Sequence, residues 1–315
     1  MKNLLVTGGC GFIGSNFINY FYDRHPDVHI INIDAMYYCA RKENVREDIR
    51  NSDRYTLVVG NLCSLDLVNH ILTTYHIDTV IHFAAQSHVQ NSFNDSLTYT
   101  MDNIVATHTL LECCHRYKKI DKFIHISTDE VYGESLFTDE TKKNEQSLLC
   151  PSNAYSSSKA SCEMLCHAYQ CSFKFPIIIT RSNNIYGPNQ YKEKLIPLFI
   201  DLLQNNKKVT IQGDGSNLRS FLHVSDVVTA FEIILEHGKI GEIYNIGAEK
   251  EYSVLEVSKL LIGLIKETNN YDNWIEYIED RPFNDKRYFI SNDKIKSLGW
   301  EIKKEFIEGI QELLR

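Results

Sequence analysis

Thr7-Gly8-Gly9-Cys10-Gly11-Phe12-Ile13-Gly14 is the stretch that decides the fold. Gly8, Gly11 and Gly14 recur at every third position, between an apolar run, Leu4–Val6, and an amphipathic stretch, Ile13–Arg24. A glycine triplet between strand and helix is the loop of a dinucleotide site. The first glycine permits the tight turn, the second lets backbone approach a pyrophosphate, and the third lets the helix pack close on the strand. The helix N-terminus then turns its free N–H groups toward the phosphates. Asp34 closes the next apolar run, 20 residues after Gly14. A carboxylate there accepts a hydrogen bond from a ribose hydroxyl and repels a 2′-phosphate, so NAD is expected rather than NADP.

Outward from this loop, short apolar runs alternate with longer amphipathic stretches. The runs are Leu4–Val6, His29–Ile33, Thr56–Val59, Thr79–Phe83, Phe123–Ile126 and Ile177–Thr180. Each is continuous, as in strands buried on both faces of a parallel sheet. Helices are expected over Ile13–Arg24, Ser64–Tyr75, Asp102–Tyr117 and Asn153–Phe173. The alternation predicts an α/β fold, a doubly wound parallel sheet of Rossmann type. After Ser182 the texture changes to loops rich in Gly, Asn and Pro, with shorter helices at Ser225–His237 and Ser253–Lys266. A cofactor domain over 1–180 and a smaller C-terminal substrate-binding domain over 181–315 are expected. Elements around 224–250, Tyr244–Gly247 among them, should return to the first domain.

The chain has 315 residues, and domains run to about 100–200, which agrees with two. Lys plus Arg number 33 against 41 for Asp plus Glu, a formal charge of −8. A nucleic-acid binder needs a basic face, so that class is excluded. No apolar run reaches the length of a membrane helix, which excludes a membrane role. Met1–Val6 is too short an apolar stretch for a signal peptide. The nine cysteines are odd in number and form no Cys-x-x-Cys pair, the pattern of reduced core thiols. A cytoplasmic protein is expected.

Tyr155 and Lys159 lie four residues apart and share one face of a helix. A neighbouring ammonium stabilises a phenolate, so the tyrosine can take a proton from an alcohol. Ser127-Thr128-Asp129-Glu130-Val131-Tyr132-Gly133 ends the fifth strand candidate, where catalytic groups of open α/β sheets gather. Two carboxyls in one cleft repel each other's charge, so one can stay protonated as an acid while the other acts as a base.

These residues, with further stretches, resemble the extended short-chain dehydrogenase/reductase family, and within it the nucleotide-sugar 4,6-dehydratases. Thr128–Gly133 and Glu193-Lys194-Leu195-Ile196-Pro197 are similar to dTDP-glucose 4,6-dehydratases. His82–Gln86, Asn91–Phe93, Asn183–Gln190, Gly213–Ser220 and Arg281–Asp285 resemble more closely the UDP-glucose 4,6-dehydratases, including the N-terminal domain of plant rhamnose synthases. The resemblance implies a redox-neutral reaction with tightly bound NAD, regenerated each turnover, and UDP-glucose or dTDP-glucose as substrate. Tyr155, assisted by Lys159, would take the C4 hydroxyl proton. Thr128 would hydrogen-bond the resulting oxygen, Glu130 would remove the C5 proton and Asp129 would protonate the departing C6 hydroxyl.

The resemblance also implies the cofactor contacts. These are Gly8, Gly11, Phe12, Ile13, Gly14, Asp34, Asn61, Leu62, Phe83, Ala84, Ala85 and Ser87, with Tyr155 and Lys159. Ser87, Thr128, Asn184, Lys194, Leu195, Arg219, Asn245 and Arg281 would hold the substrate, Arg219 pairing its guanidinium with the diphosphate. Asn61 stands where the family has Asp, and its amide can still accept a hydrogen bond. Tyr37-Tyr38-Cys39-Ala40-Arg41 departs from the dTDP-enzyme pattern, and Phe283-Asn284 replaces its Gly-His, which favours UDP-glucose. A homodimer through Asp102–Tyr117 and Asn153–Phe173 is implied, as is a separate downstream epimerase/reductase on the way to rhamnose.

His108, Cys113, Cys114 and His115 have the wrong spacing for a tetrahedral metal site, and no metal is expected. His223 reads as structural. A UDP-sugar 4-epimerase would share Tyr155, Lys159 and the glycine loop. It would not need Asp129 and Glu130. A catalytically silent sensor, or a dehydrogenase with net oxidation, are the further alternatives.

Overall fold

A computed structural model describes residues 1–280 and 283–315. The strands are β1 (Asn3–Thr7), β2 (His29–Asp34), β3 (Tyr55–Val59), β4 (Thr79–His82), β5 (Lys122–Thr128) and β6 (Ile177–Ser182), then β7 (Asn184–Tyr186), β8 (Val209–Gln212), β9 (Leu218–His223), β10 (Ile243–Ile246), β11 (Glu251–Ser253) and β12 (Ile275–Ile278). Among the described residues, seven form one sheet in the order β10-β6-β5-β4-β1-β2-β3, with every pairing parallel. The expected α/β class is therefore the observed one, and the strand order reverses beside β1, next to the glycine loop.

The apolar runs are continuous because successive residues enter opposite layers. Leu4, Val6, Ile81, Ile124 and Ile126 pack with Phe17, Phe21 and Phe231 on one face. Leu5, Val80, Phe123, Ile177 and Ile179 pack with Leu110, Leu111, Cys114 and Cys166 on the other. The helices Phe12–Arg24 and Val224–His237 cover the first face; Leu65–Thr74, Ala106–Tyr117 and Ala154–Phe173 cover the second. β10 returns from the second half of the chain and pairs with β6, Ile243 opposite Ile179.

A third core gathers Tyr186, Phe199, Leu203, Ile211, Leu261 and Phe306, with β7, β9 and β11 in one small sheet and β8 and β12 in another. The expected helix at Asp102 is preceded by a wider π turn, Thr100–Val105. There the Asn103 side chain bonds the backbone of Gln86 in both directions, at 2.7 and 3.0 Å, and the Ser158 hydroxyl at 2.8 Å. None of the described helices is long and apolar enough to cross a membrane. All nine cysteines are free. Cys113 and Cys114 are buried in the core, while the His115 ring stacks on Phe173 at 4.1 Å.

Candidate active site

The glycine loop leaves no room for side chains. Gly8 has φ +69°, and a Cβ there would lie 2.8 Å from the Ala84 backbone. A Cβ on Gly14 would lie 2.5 Å from the Gly8 carbonyl oxygen. The helix Phe12–Arg24 starts at Gly11 with no side-chain cap, so its first N–H groups have no partner within the helix. Phe12 and Ile13 line a cavity at this end of the helix, which makes it a cradle for an anion and fits a pyrophosphate. Asp34 accepts hydrogen bonds from the N–H groups of Cys10 (2.9 Å) and Met36 (2.8 Å), and burial raises its pKa. It first ties the loops together, and each of its oxygens keeps a further acceptor position.

Asn61 is engaged at both ends. Its oxygen accepts from Cys63 N–H at 2.7 Å and its amide donates to the Tyr37 hydroxyl at 2.8 Å. Leu62 turns its side chain into the core, and Phe83 packs on Phe17 with ring centroids 5.5 Å apart. Ala84 N–H donates to Thr7 Oγ1 at 3.1 Å, which sets the β4 exit against the end of β1.

A cavity of about 520 Å³ opens at the carboxyl ends of the strands. It is lined by Ser87, Thr128, Glu130, Tyr155, Asn184, Lys194, Leu195 and Arg219, as well as by Phe12 and Ile13. Sequence-expected cofactor and substrate residues thus meet in one space. Asn245 does not join them. It is fully buried in β10, accepts from the Tyr132 hydroxyl at 2.8 Å and donates its N–H to Glu145 at 2.9 Å. Its expected role as a nucleotide contact is corrected to a structural one. Arg281 lies outside the described residues.

Asp129 and Glu130 sit in a single 3-10 turn, Asp129–Tyr132, directly after β5. Asp129 is 2% exposed. The Thr128 hydroxyl donates to its Oδ1 at 3.2 Å, and Asn183 donates to its Oδ2 at 2.6 Å. Burial, and then the charge of Glu130, push the Asp129 pKa up to about 7. Burial also raises Glu130, opposed by a hydrogen bond from Asn153 at 3.3 Å. The same Asn153 caps the helix Ala154–Phe173, accepting from Ser156 N–H at 2.9 Å in a reciprocal capping box. One residue therefore fixes both the start of the Tyr155 helix and the direction of the Glu130 carboxylate. Neither Asn153 nor Asn183 was assigned a role of its own from sequence: Asn153 stood only at a helix start, and Asn183 only at the head of the stretch Asn183–Gln190.

Lys159 is buried and donates to the Ile126 carbonyl at 2.6 Å, and burial lowers its pKa. The Lys159 ammonium is directed at the Ile126 carbonyl. Burial, and then the Glu130 charge, raise Tyr155 above the ordinary phenol value, with Thr128 pulling it back. The helix is pinned to β6 by a buried ion pair, Arg181 to Glu163 at 2.5 Å.

Arg219 donates to the carbonyls of Leu218 (2.8 Å) and Asp285 (2.8 Å) and stacks over Tyr288. Among the described residues no carboxylate lies within ion-pair distance of it. Lys194 donates to the Ser87 carbonyl at 2.7 Å. Two cations held only by neutral oxygens make an anion site in a chain of net negative charge. His223 caps the helix Val224–His237, as expected of a structural residue.

Fold and site together define a dinucleotide-binding enzyme of the extended short-chain dehydrogenase/reductase class. The family model described as GDP-mannose 4,6 dehydratase matches residues 5–313, and the chain belongs to that family. It is 45% identical, over 99% of its length, to the trifunctional UDP-glucose 4,6-dehydratase/UDP-4-keto-6-deoxy-D-glucose 3,5-epimerase/UDP-4-keto-L-rhamnose-reductase of Arabidopsis thaliana, of which it covers 47%. The chain thus spans about half the length of this plant relative. It is 46% identical to the dTDP-D-glucose 4,6-dehydratase of Bos taurus, covering 99% of this chain and 88% of that one. The crystal structure of dTDP-glucose 4,6-dehydratase from Bacillus anthracis in complex with NAD superimposes with a TM-score of 0.90 at 39% identity, covering 99% of this chain and 95% of that one.

Proposed function

We propose that the chain is an NAD-dependent hydro-lyase that converts UDP-glucose to UDP-4-keto-6-deoxyglucose and water. The observation that carries this reading is the pair of adjacent carboxyls in the turn after β5: Glu130 lines the cavity with Thr128 and Tyr155, and Asp129 is buried between Thr128 and Asn183, hydrogen-bonded to both. A 4-epimerase needs a base at C4 and no acid at C6, so a second, partly protonated carboxyl has no task in it. NAD, when bound, supplies an acceptor for the C4 hydride and later its donor to C6. The glycine loop and the first turn of Phe12–Arg24 would hold its pyrophosphate, with Asp34 on the adenosine ribose.

The protein's own groups do the rest. Tyr155 takes the C4 hydroxyl proton, and the Thr128 hydroxyl donates to the carbonyl oxygen that results. That carbonyl acidifies the C5 hydrogen, which Glu130 removes. Asp129 protonates the C6 hydroxyl as it leaves, and Glu130 returns its proton to C5 when C6 is reduced. Arg219 and Lys194 bind the diphosphate.

The substrate preference rests on resemblance to the plant enzymes. Uracil differs from thymine by one methyl, worth about 1–3 kcal/mol of discrimination, so dTDP-glucose is the second candidate. Competition of the two sugar nucleotides for one enzyme tests it: UDP-glucose should have the higher kcat/KM. We further propose a cofactor domain over 1–180, joined by β10 and its preceding helix, and a substrate domain over the remainder. A cytoplasmic homodimer is also proposed, through Ala106–Tyr117 and Ala154–Phe173, where Met164 and Phe173 stand exposed. Light scattering that finds only monomer at micromolar concentration would contradict the dimer.

A further inference from the structure

Asn183 follows β6 directly and is 5% exposed. Its backbone N–H donates to the Ile246 carbonyl at 3.0 Å. Its side-chain Oδ1 accepts from the Ala248 N–H at 3.1 Å, and its Nδ2 donates to Asp129 Oδ2 at 2.6 Å. Turning the amide over would set two donors against each other at Ala248 and two acceptors against each other at Asp129. A backbone N–H therefore dictates which end of Asn183 meets the acid. Gly247 leaves room for Oδ1 only because it lacks a side chain, since a Cβ there would lie 2.6 Å from that oxygen.

This has a consequence for the proton of Asp129. An oxygen that accepts from an N–H at 2.6 Å cannot also carry a hydrogen pointing the same way. The acidic proton belongs on the other oxygen, Oδ1: the Thr128 hydroxyl, 3.2 Å away, donates to Oδ1 of the carboxylate, and in the acid form it accepts from Oδ1–H and turns its own hydrogen to the cavity. Thr128 lines the cavity, and its Oγ1 in turn accepts from Glu130 N–H at 3.3 Å.

We propose that Asn183 is a positioning residue for the elimination step: it occupies Oδ2 of Asp129 so that the acid carries its proton on Oδ1, beside Thr128 and the reacting sugar. The proposal rests on the dehydratase reading above. In that step the C5–H bond breaks and its proton passes to Glu130. The electron pair forms the C5–C6 double bond as the C6–O bond breaks. The leaving oxygen takes the Oδ1 proton and departs as water, and Asp129 is left as a carboxylate. Asn183 then donates to the charged form. Solvent restores the Asp129 proton, balanced by the proton that Tyr155 took from the C4 hydroxyl and releases. The charged or titratable groups acting on Asp129 are Glu130 and Arg219, and Asp129 in turn acts on Tyr155.

Asn183→Asp keeps the shape and the acceptor for Ala248 but replaces the donor with another acceptor. Asn183→Ser is the second variant, should the first not fold. Each is mixed with UDP-glucose as holoenzyme. Reduced nicotinamide is followed by its absorbance and water loss by product mass. C4 oxidation should stay close to that of the unmodified chain while water loss slows about 10- to 100-fold, so reduced cofactor accumulates. Equal loss of both steps, or undiminished water loss, would overturn the proposal. Asp129→Asn is run in parallel. If it too accumulates no reduced cofactor, the dehydratase reading has failed; if it does and the folded Asn183 variant does not, only the positioning role has failed.

Discussion

Replacing Asp129 by Asn removes one proton and almost nothing else. The amide oxygen can still accept from Asn183, and the side-chain volume is nearly unchanged. The size of the effect follows from the environment. A carboxyl titrating near 4 is protonated in about one molecule in a thousand at pH 7. Burial and the Glu130 charge bring Asp129 up to about 7, so about half the molecules hold the acid ready. General acid catalysis is worth about 10²- to 10⁴-fold, and water loss should fall by that factor in Asp129→Asn. C4 oxidation depends on Tyr155, so it should continue. The assay mixes holoenzyme with UDP-glucose in deuterium oxide and reads nicotinamide absorbance, product mass and deuterium at C5. Reduced cofactor should build up, and C5 should still exchange because Glu130 is intact. Water loss at the unmodified rate would refute the role of Asp129 as the acid.

Other expectations rest on the same geometry. Gly14→Ala puts a methyl 2.5 Å from the Gly8 carbonyl, so the purified protein should lose its bound nicotinamide cofactor, measured by absorbance after acid release. Asn153→Ala removes a helix cap and a partner of Glu130; it should cost about 1 kcal/mol in chemical unfolding and also slow C5 exchange, whereas a cap-only role would leave exchange untouched. Because folding raises the Asp129 pKa, the native state binds more protons than the unfolded chain between about pH 4 and 7. Its burial therefore destabilises the fold progressively as pH rises through that window, and Asp129→Asn should raise Tm at pH 8 more than at pH 4.

The sheet was legible because each of its first six strands is a continuous apolar run with turn residues on both sides. Both faces of all but the edge strand β3 are buried, so composition alone marks them. β10 was legible only as a return, Tyr244–Gly247, and it pairs with β6. The short strands β7 and β11 carry three residues each and no period, so local sequence held no sign of them. The π turn at Thr100–Val105 arises from Asn103 reaching Gln86 and Ser158, a tertiary cause. Motif spacing and the family resemblance pointed to Thr128, Asp129, Glu130, Tyr155 and Lys159; Thr128, Glu130 and Tyr155 line the cavity, while Asp129 and Lys159 are buried. The hydrogen bonds that the two carboxyls accept come from Asn183 and Asn153, whose placement depends on other strands and helices. The overall charge of −8 gave no hint of an anion site, which depends on Arg219 and Lys194 being held by carbonyls rather than carboxylates.

The central claim is that this chain removes water from a nucleotide sugar without net oxidation. Incubating the holoenzyme with UDP-glucose and weighing the product tests it most directly. The account predicts a product lighter by one water, with bound NAD unchanged at the end of the reaction. A product of unchanged mass containing galactose would contradict it and assign the chain to the epimerases.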